Sequence, residues 1–139
     1  MRMLFRALGM FMVTIFMSMT VLYVSSVNIH QEELLSTTTT ALNQTQMVME
    51  DQIMDNLYGT KIADTELLTD ESYFNFFLEN LRILVSSSDS KYTVDLLDID
   101  VDRGFIRVKV TTTFNTVAGV RTKEVIKTGL VDVRNLQEL

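Results

Sequence analysis

Three patterns of apolar and polar positions succeed one another along the chain. Over residues 7–29 there is no period at all. The 23 consecutive uncharged residues ALGMFMVTIFMSMTVLYVSSVNI are apolar on every side. As a helix rising about 1.5 Å per residue they reach roughly 34 Å, enough to cross a hydrocarbon core of about 30 Å. Over residues 30–58 the apolar positions thin to a stripe of Leu35, Leu42, Met49, Ile53 and Leu57, spaced by seven or four. The same helix is therefore predicted to continue with one face turned to a core. The run Thr37, Thr38, Thr39, Thr40 consists of β-branched, weak helix formers, so a local fray or kink is expected there. Gly59 is a fitting stop. The chain has no proline, so nothing forces an earlier break.

Residues 61–68 read as a linker. Thr69 is then a good N-cap, with Asp70 and Glu71 in a first turn where negative charge suits the helix dipole. Phe74, Phe77, Leu78, Leu81, Leu84 and Val85 recur at helical spacing and predict a second amphipathic helix over residues 70–85. Ser86, Ser87, Ser88, Asp89 and Ser90 mark a loop. From Lys91 the period becomes two. Leu97, Ile99 and Val101 alternate with Asp98, Asp100 and Asp102, and Ile106, Val108 and Val110 alternate with Arg107, Lys109 and Thr111. A two-residue turn at Arg103 and Gly104 would pair Val101 with Ile106, Ile99 with Val108 and Leu97 with Val110. On the other face it would set Asp100 against Arg107 and Asp98 against Lys109. A third strand is expected over residues 122–133, after a turn near Ala118 and Gly119. The fold class is α+β: a long N-terminal helix, a second helix and an antiparallel three-stranded meander over residues 91–133.

Charge adds an orientation. Arg2 and Arg6 precede the apolar run, and Glu32 and Glu33 follow it. The positive flank favours a cytoplasmic stub of residues 1–6, a transmembrane helix over residues 7–29 and an extracytoplasmic domain over residues 30–139. A cleaved signal peptide is the competing reading, with Val24 and Ser26 as small residues before a cut. The apolar run is longer than the 7–15 residues of a typical signal core, which favours an uncleaved anchor. From His30 onward the chain holds ten basic and eighteen acidic side chains. Such a domain repels nucleic acid and anionic lipid headgroups, so the expected partners are the bilayer, through the apolar run, and other proteins. Within it, residues 30–102 hold fifteen acidic and three basic side chains, and residues 103–139 hold seven basic and three acidic. That split suits contacts inside one domain or head-to-tail contacts between subunits.

The chemistry-bearing residues are few. Cysteine is absent, which removes disulfides, thiolate metal sites and a cysteine nucleophile. Asp98, Asp100 and Asp102 have the spacing that opens an EF-hand loop. Arg103 and Lys109 stand where that loop needs glycine and a bidentate glutamate, and the intervening Ile99 and Val101 mark a strand. His30, the single histidine, lies at the expected membrane boundary and reads as a headgroup-level polar residue. Asn43, Gln44 and Thr45 fit the short N-glycosylation pattern. There is no glycine-rich phosphate loop. No enzyme activity, cofactor, metal or small-molecule substrate is assigned.

A short basic stub, an apolar helix running on into an amphipathic half, and then an antiparallel meander together resemble a type IV pilin or pseudopilin. The layout is similar to that of the small single-span, pilin-like proteins of tight-adherence (Tad-type) secretion machinery. The resemblance implies leader cleavage after a glycine, for which Gly9 is the matching residue, with Met10 first in the mature chain. It also implies a glutamate five residues in, where this sequence has Thr14. That departure points to a permanently anchored accessory subunit rather than a major pilin. The resemblance further implies side-by-side packing of residues 10–27. Met10, Phe11, Thr14, Ile15, Ser18, Val21, Leu22 and Ser25 are the candidate membrane and assembly residues, and Thr14, Ser18, Thr20 and Ser25 are small enough for close helix approach. The expected function is a non-enzymatic structural or assembly subunit of a pilin-like or secretion-type envelope machine, in the cell membrane or an extracellular filament. The alternative is a membrane-tethered binding module of a secretion, conjugation or division complex that does not polymerise. For that alternative residues 60–139 are expected to suffice for partner binding.

Overall fold

The apolar run and the amphipathic stretch form one unbroken helix. The computed structural model describes residues 2–58, 69–85, 90–101 and 103–131. Helix α1 is Arg2–Tyr58 and helix α2 is Asp70–Leu84; the strands are β1 Lys91–Asp100, β2 Phe105–Thr116 and β3 Gly119–Leu130. The fold is α+β, with a three-stranded antiparallel sheet in the order β1-β2-β3. The expected linker, Gly59, the serine loop at residues 86–89, Asp102 and the end of the third strand at Val133 lie outside the described residues, as do the side chains of Ile53 and Leu57.

The core forms where the second half of α1 and one face of α2 cover one face of the sheet. Its buried α1 residues are Leu34, Thr37, Thr38, Ala41, Leu42, Thr45 and Met49. Two expectations are corrected here. Leu35 is 45% exposed, so the stripe starts one residue earlier, at Leu34. The threonine run neither frays nor kinks α1. Thr37 and Thr38 point into the core, and Thr39 donates its hydroxyl to the carbonyl of Leu35 at 2.7 Å. Tertiary packing overrides weak propensity, and the small side chains let sheet and helix approach closely. Gln46 lies close to Gly129, where a Cβ would meet the Gln46 amide at 3.2 Å and Ile106 at 3.1 Å. β3 crosses under α1 there because glycine has no side chain.

Helix α2 starts as its sequence predicts. The Thr69 hydroxyl accepts from the Ser72 backbone N–H at 3.4 Å. It buries Tyr73, Phe77 and Leu81, a set spaced by four. Tyr73, absent from the predicted stripe, donates its hydroxyl to the Gln52 side-chain carbonyl of α1. The Asp70 carboxylate accepts from the Val101 backbone N–H at 3.3 Å, which ties the start of α2 to the β1–β2 turn. α2 therefore runs back along α1.

The hairpin forms, in a different register from the one predicted. Ile99 faces Ile106, Asp98 faces Arg107 and Asp100 faces Phe105. Beyond an irregularity at Leu97, Leu96 faces Val108, Asp95 faces Lys109 and Val94 faces Val110. The turn is longer than two residues: Gly104 donates its N–H to the Val101 carbonyl at 3.0 Å and takes a left-handed φ of 63°. Leu97 is an extra residue in β1, a bulge that puts Leu96 and Ile99 on the same face. The third strand begins earlier than predicted, at Gly119, after a turn at Val117 and Ala118; Gly119 has φ 109°. That geometry suits a type I turn closed by a left-handed glycine.

Two measurements test this packing. Phe77→Ala should cost roughly 3–5 kcal/mol, whereas Thr38→Val, replacing a buried hydroxyl that has no partner among the described residues, should add about 1 kcal/mol; urea unfolding reads both. Burial pushes the Tyr73 phenol up to about 12. Its neutral form belongs to the fold, so stability should hold below pH ~10, the unfolded value, and fall as pH rises towards about 12. Tyr73→Phe should remove that alkaline loss.

Candidate functional site

The feature with most functional content is the bare half of α1 together with the end of the sheet nearest to it. Among the described residues one helix is long and apolar enough to cross a membrane, and none of its most apolar 18-residue window is buried. Met10, Phe11, Val21 and Leu22 are 76%, 64%, 67% and 60% exposed, and Ile15 is 40% exposed. Three hydroxyls within the run are satisfied internally. Thr14 donates to the Met10 carbonyl, Ser18 to the Thr14 carbonyl and Thr20 to the Phe16 carbonyl, each at 2.9 Å. Such back-bonding removes the cost of placing a hydroxyl in hydrocarbon.

At about 100° per residue, Thr14, Ser18, Val21 and Ser25 fall on one line of α1, and Thr20 lies well off it. The residues of α1 that meet the sheet lie on the opposite side. Tyr23 sits beneath the Arg121 guanidinium, 5.6 Å from its ring centroid, and His30 stacks on Phe114 with centroids 4.2 Å apart. The line of small residues is thus turned away from the folded domain. Gly9 lies inside the helix, and a Cβ there would meet nothing within 4 Å. Packing does not require glycine at that position.

His30 forms a joint between helix and sheet. Its ring is stacked on Phe114, its Nδ1 lies 3.7 Å from a Glu33 carboxylate oxygen, and Ser90 is 3.4 Å away. The sheet reaches past it to Tyr23, so the folded domain overlaps the outer end of the span predicted over residues 7–29. Nothing in local sequence points to Arg121 or Phe114. The one available signal is that residues 110–120 carry no charge.

The other candidates separate. Asp100 accepts from the Arg103 backbone N–H at 3.1 Å and pairs with its guanidinium at 3.3 Å, which caps the turn. Asp98 lies opposite Arg107 in the ladder, and Asp102 is outside the described residues. Among the described residues no three acidic or imidazole groups are grouped to hold a metal. Asp95, not Asp98, faces Lys109, and Lys109 bonds to Glu124 on β3 at 2.8 Å; that carboxylate raises the ammonium above its ordinary value. Thr45 of the glycosylation pattern is buried and donates to the Ala41 carbonyl within the helix. An open cleft of about 480 Å³ lies between α2 and β1, lined by Leu78, Leu81, Val85, Tyr92 and Val94 with Arg82 and Ser90. Burial and the nearby Glu33 carboxylate push the Tyr92 phenol up, so it stays neutral and is not primed as a base.

Searches of protein-family models, curated proteins and solved structures gave no match to this chain.

The His30 joint makes a local prediction. An aromatic stack contributes about 0.5–1.5 kcal/mol, so His30→Ala should leave the circular dichroism spectrum unchanged while amide exchange over residues 112–120 accelerates by up to about tenfold. Exchange near Gly129 should not change. Acceleration spread evenly over the sheet would show that the joint has no local role.

Proposed function

We propose that this protein is a membrane-anchored, non-enzymatic assembly subunit of a pilin-like or secretion-type cell-envelope machine. One observation carries the reading: a 57-residue helix whose first half is bare and apolar and whose second half is the backbone of a small α+β domain. A soluble protein gains nothing from exposing that much apolar surface, whereas lipid or the same helix of neighbouring copies covers it. The line of Thr14, Ser18, Val21 and Ser25, turned away from the sheet, is where copies would approach without their domains colliding. Arg2 and Arg6, ahead of the apolar run, support a cytoplasmic N-terminus with the domain on the other side. Thr14, in place of the glutamate that the pilin resemblance implies, favours a fixed subunit that keeps its first nine residues.

A tethered binding module that never polymerises is the second reading. It is favoured by the basic side chains of the sheet: Arg107, Lys123 and Lys127 form no ion pair among the described residues, in a domain that is otherwise acidic. A partner with an acidic surface would answer them. Residues 60–139 would not serve as the minimal module, because Leu34, Ala41, Leu42 and Met49 of α1 are part of the core.

The chain has no cysteine, so single cysteines report helix contacts cleanly. In native membranes Ser18→Cys should oxidise to a disulfide-linked dimer, and Phe16→Cys, on the other side of α1, should not. The intact mass should be that of the full chain. Equal cross-linking at both positions, or none, counts against assembly through this face. Loss of residues 1–9 supports pilin-type processing instead, and loss of residues 1–26 removes the anchor altogether.

A further inference from the structure

The β2–β3 hairpin ends beside a part of α1 that the bilayer should still enclose. Arg6 and Tyr23 are seventeen residues apart, or about 25 Å along a helix axis. A hydrocarbon core is about 30 Å thick. With Arg6 at one boundary, the other boundary falls about three residues beyond Tyr23 in an upright helix, and further along in a tilted one. Yet Tyr23 already touches the folded domain, because the Arg121 guanidinium lies over its ring. Arg121 is the third residue of β3, immediately after the hairpin tip. The tip is therefore at the depth of the membrane surface and cannot stand clear of it.

Its composition suits that depth. Residues 110–120 contain no charged side chain, and residues 117–120 read Val-Ala-Gly-Val. Val117 is 64% exposed and Val120 is 65% exposed, with Ala118 and Gly119 exposed between them. The first charge after the tip is Arg121, whose long stem allows its head to rise to phosphate level while it covers an aromatic ring. Tyr23 has the ring usually found at that level. An apolar tip, a tyrosine and an arginine thus lie together at the point where the bare part of α1 ends.

We propose that the β2–β3 hairpin tip is a second membrane contact: Val117 and Val120 enter the boundary between headgroups and acyl chains beside the anchor helix, and Arg121 meets the headgroup phosphates. This rests on α1 spanning a bilayer, but not on which side the domain occupies. Two contacts instead of one fix the rotation of the domain about the anchor, so that the same face of the sheet is presented in every copy.

Single-cysteine variants of the full chain, labelled with the dye NBD, test the proposal. The vesicles are equal parts phosphatidylcholine and phosphatidylglycerol, doped with nitroxide-bearing lipid. Phe11→Cys reports the span itself, Ala118→Cys the tip and Arg103→Cys the far turn. The expected result is that label at positions 11 and 118 loses most of its emission to the lipid quencher, while label at 103 keeps it. If the label at 11 is quenched and the one at 118 behaves like that at 103, α1 spans the bilayer and the tip proposal is overturned. If the label at 11 is not quenched, the spanning reading fails and the proposal fails with it. Val117→Asp added to Ala118→Cys should weaken quenching at the tip with an unchanged circular dichroism spectrum; quenching equal to that of Ala118→Cys alone overturns the role given to the valines.

Discussion

The packing of α1 residues 34–49 against β2 and α2 is the interaction on which the rest of the structure depends. Leu34, Ala41, Leu42 and Met49 meet Ile106, Val108 and Val110 from the sheet and Tyr73, Phe77 and Leu81 from α2 in one cluster, and Thr38 and Thr45 are buried on the same helix. A three-stranded sheet of this size cannot bury its inner face alone, and α2 offers only fifteen residues. The helix that carries the candidate membrane span is therefore also the principal support of the domain. Anchor and domain share one rigid rod, and a displacement at one end is transmitted to the other without a hinge among residues 2–58.

Along that rod the surroundings change. From Ala7 to Leu22 no side chain is charged, and the hydroxyls of Thr14, Ser18 and Thr20 bond back to their own helix. Near Tyr23 the sheet joins on one side only, and by Leu34 that side is sealed. Between them Arg121 and Phe114 meet Tyr23 and His30, so the transition is made with aromatic and cationic contacts and not with aliphatic packing. Side chains with one apolar and one polar end are suited to such a boundary.

The elements of this fold were largely readable from periodicity, and their pairing was not. Both helices, the change to a period of two at Lys91 and the existence of a third strand follow from apolar spacing. The hairpin register did not, for two reasons. Tyr92, Val94 and Leu96 alternate in one phase and Leu97, Ile99 and Val101 in the other. Only a bulge brings both sets to one face, and a bulge has no apolar signature of its own. Asp95, Asp98 and Asp100 also offer Arg107 and Lys109 an acidic neighbour in more than one alignment, so charge complementarity did not discriminate. The threonine run stays helical against its propensity because intrinsic propensity omits what a small buried side chain contributes to a tight helix–sheet contact. At the candidate site, the apolar span is legible by length alone. The His30–Phe114 and Tyr23–Arg121 contacts join positions more than eighty residues apart, and no local pattern encodes them.

The bulge at Leu97 has a further consequence. Among the described residues β1 and β3 are the two edges of the sheet, and a flat strand edge with unpaired amides and carbonyls invites a second chain to add to it. The extra residue interrupts the even spacing of those groups midway along β1 and increases the local twist. Proteins crowded on a membrane surface meet edge-on at high local concentration. A kinked border with acidic side chains gives such encounters no continuous template along β1.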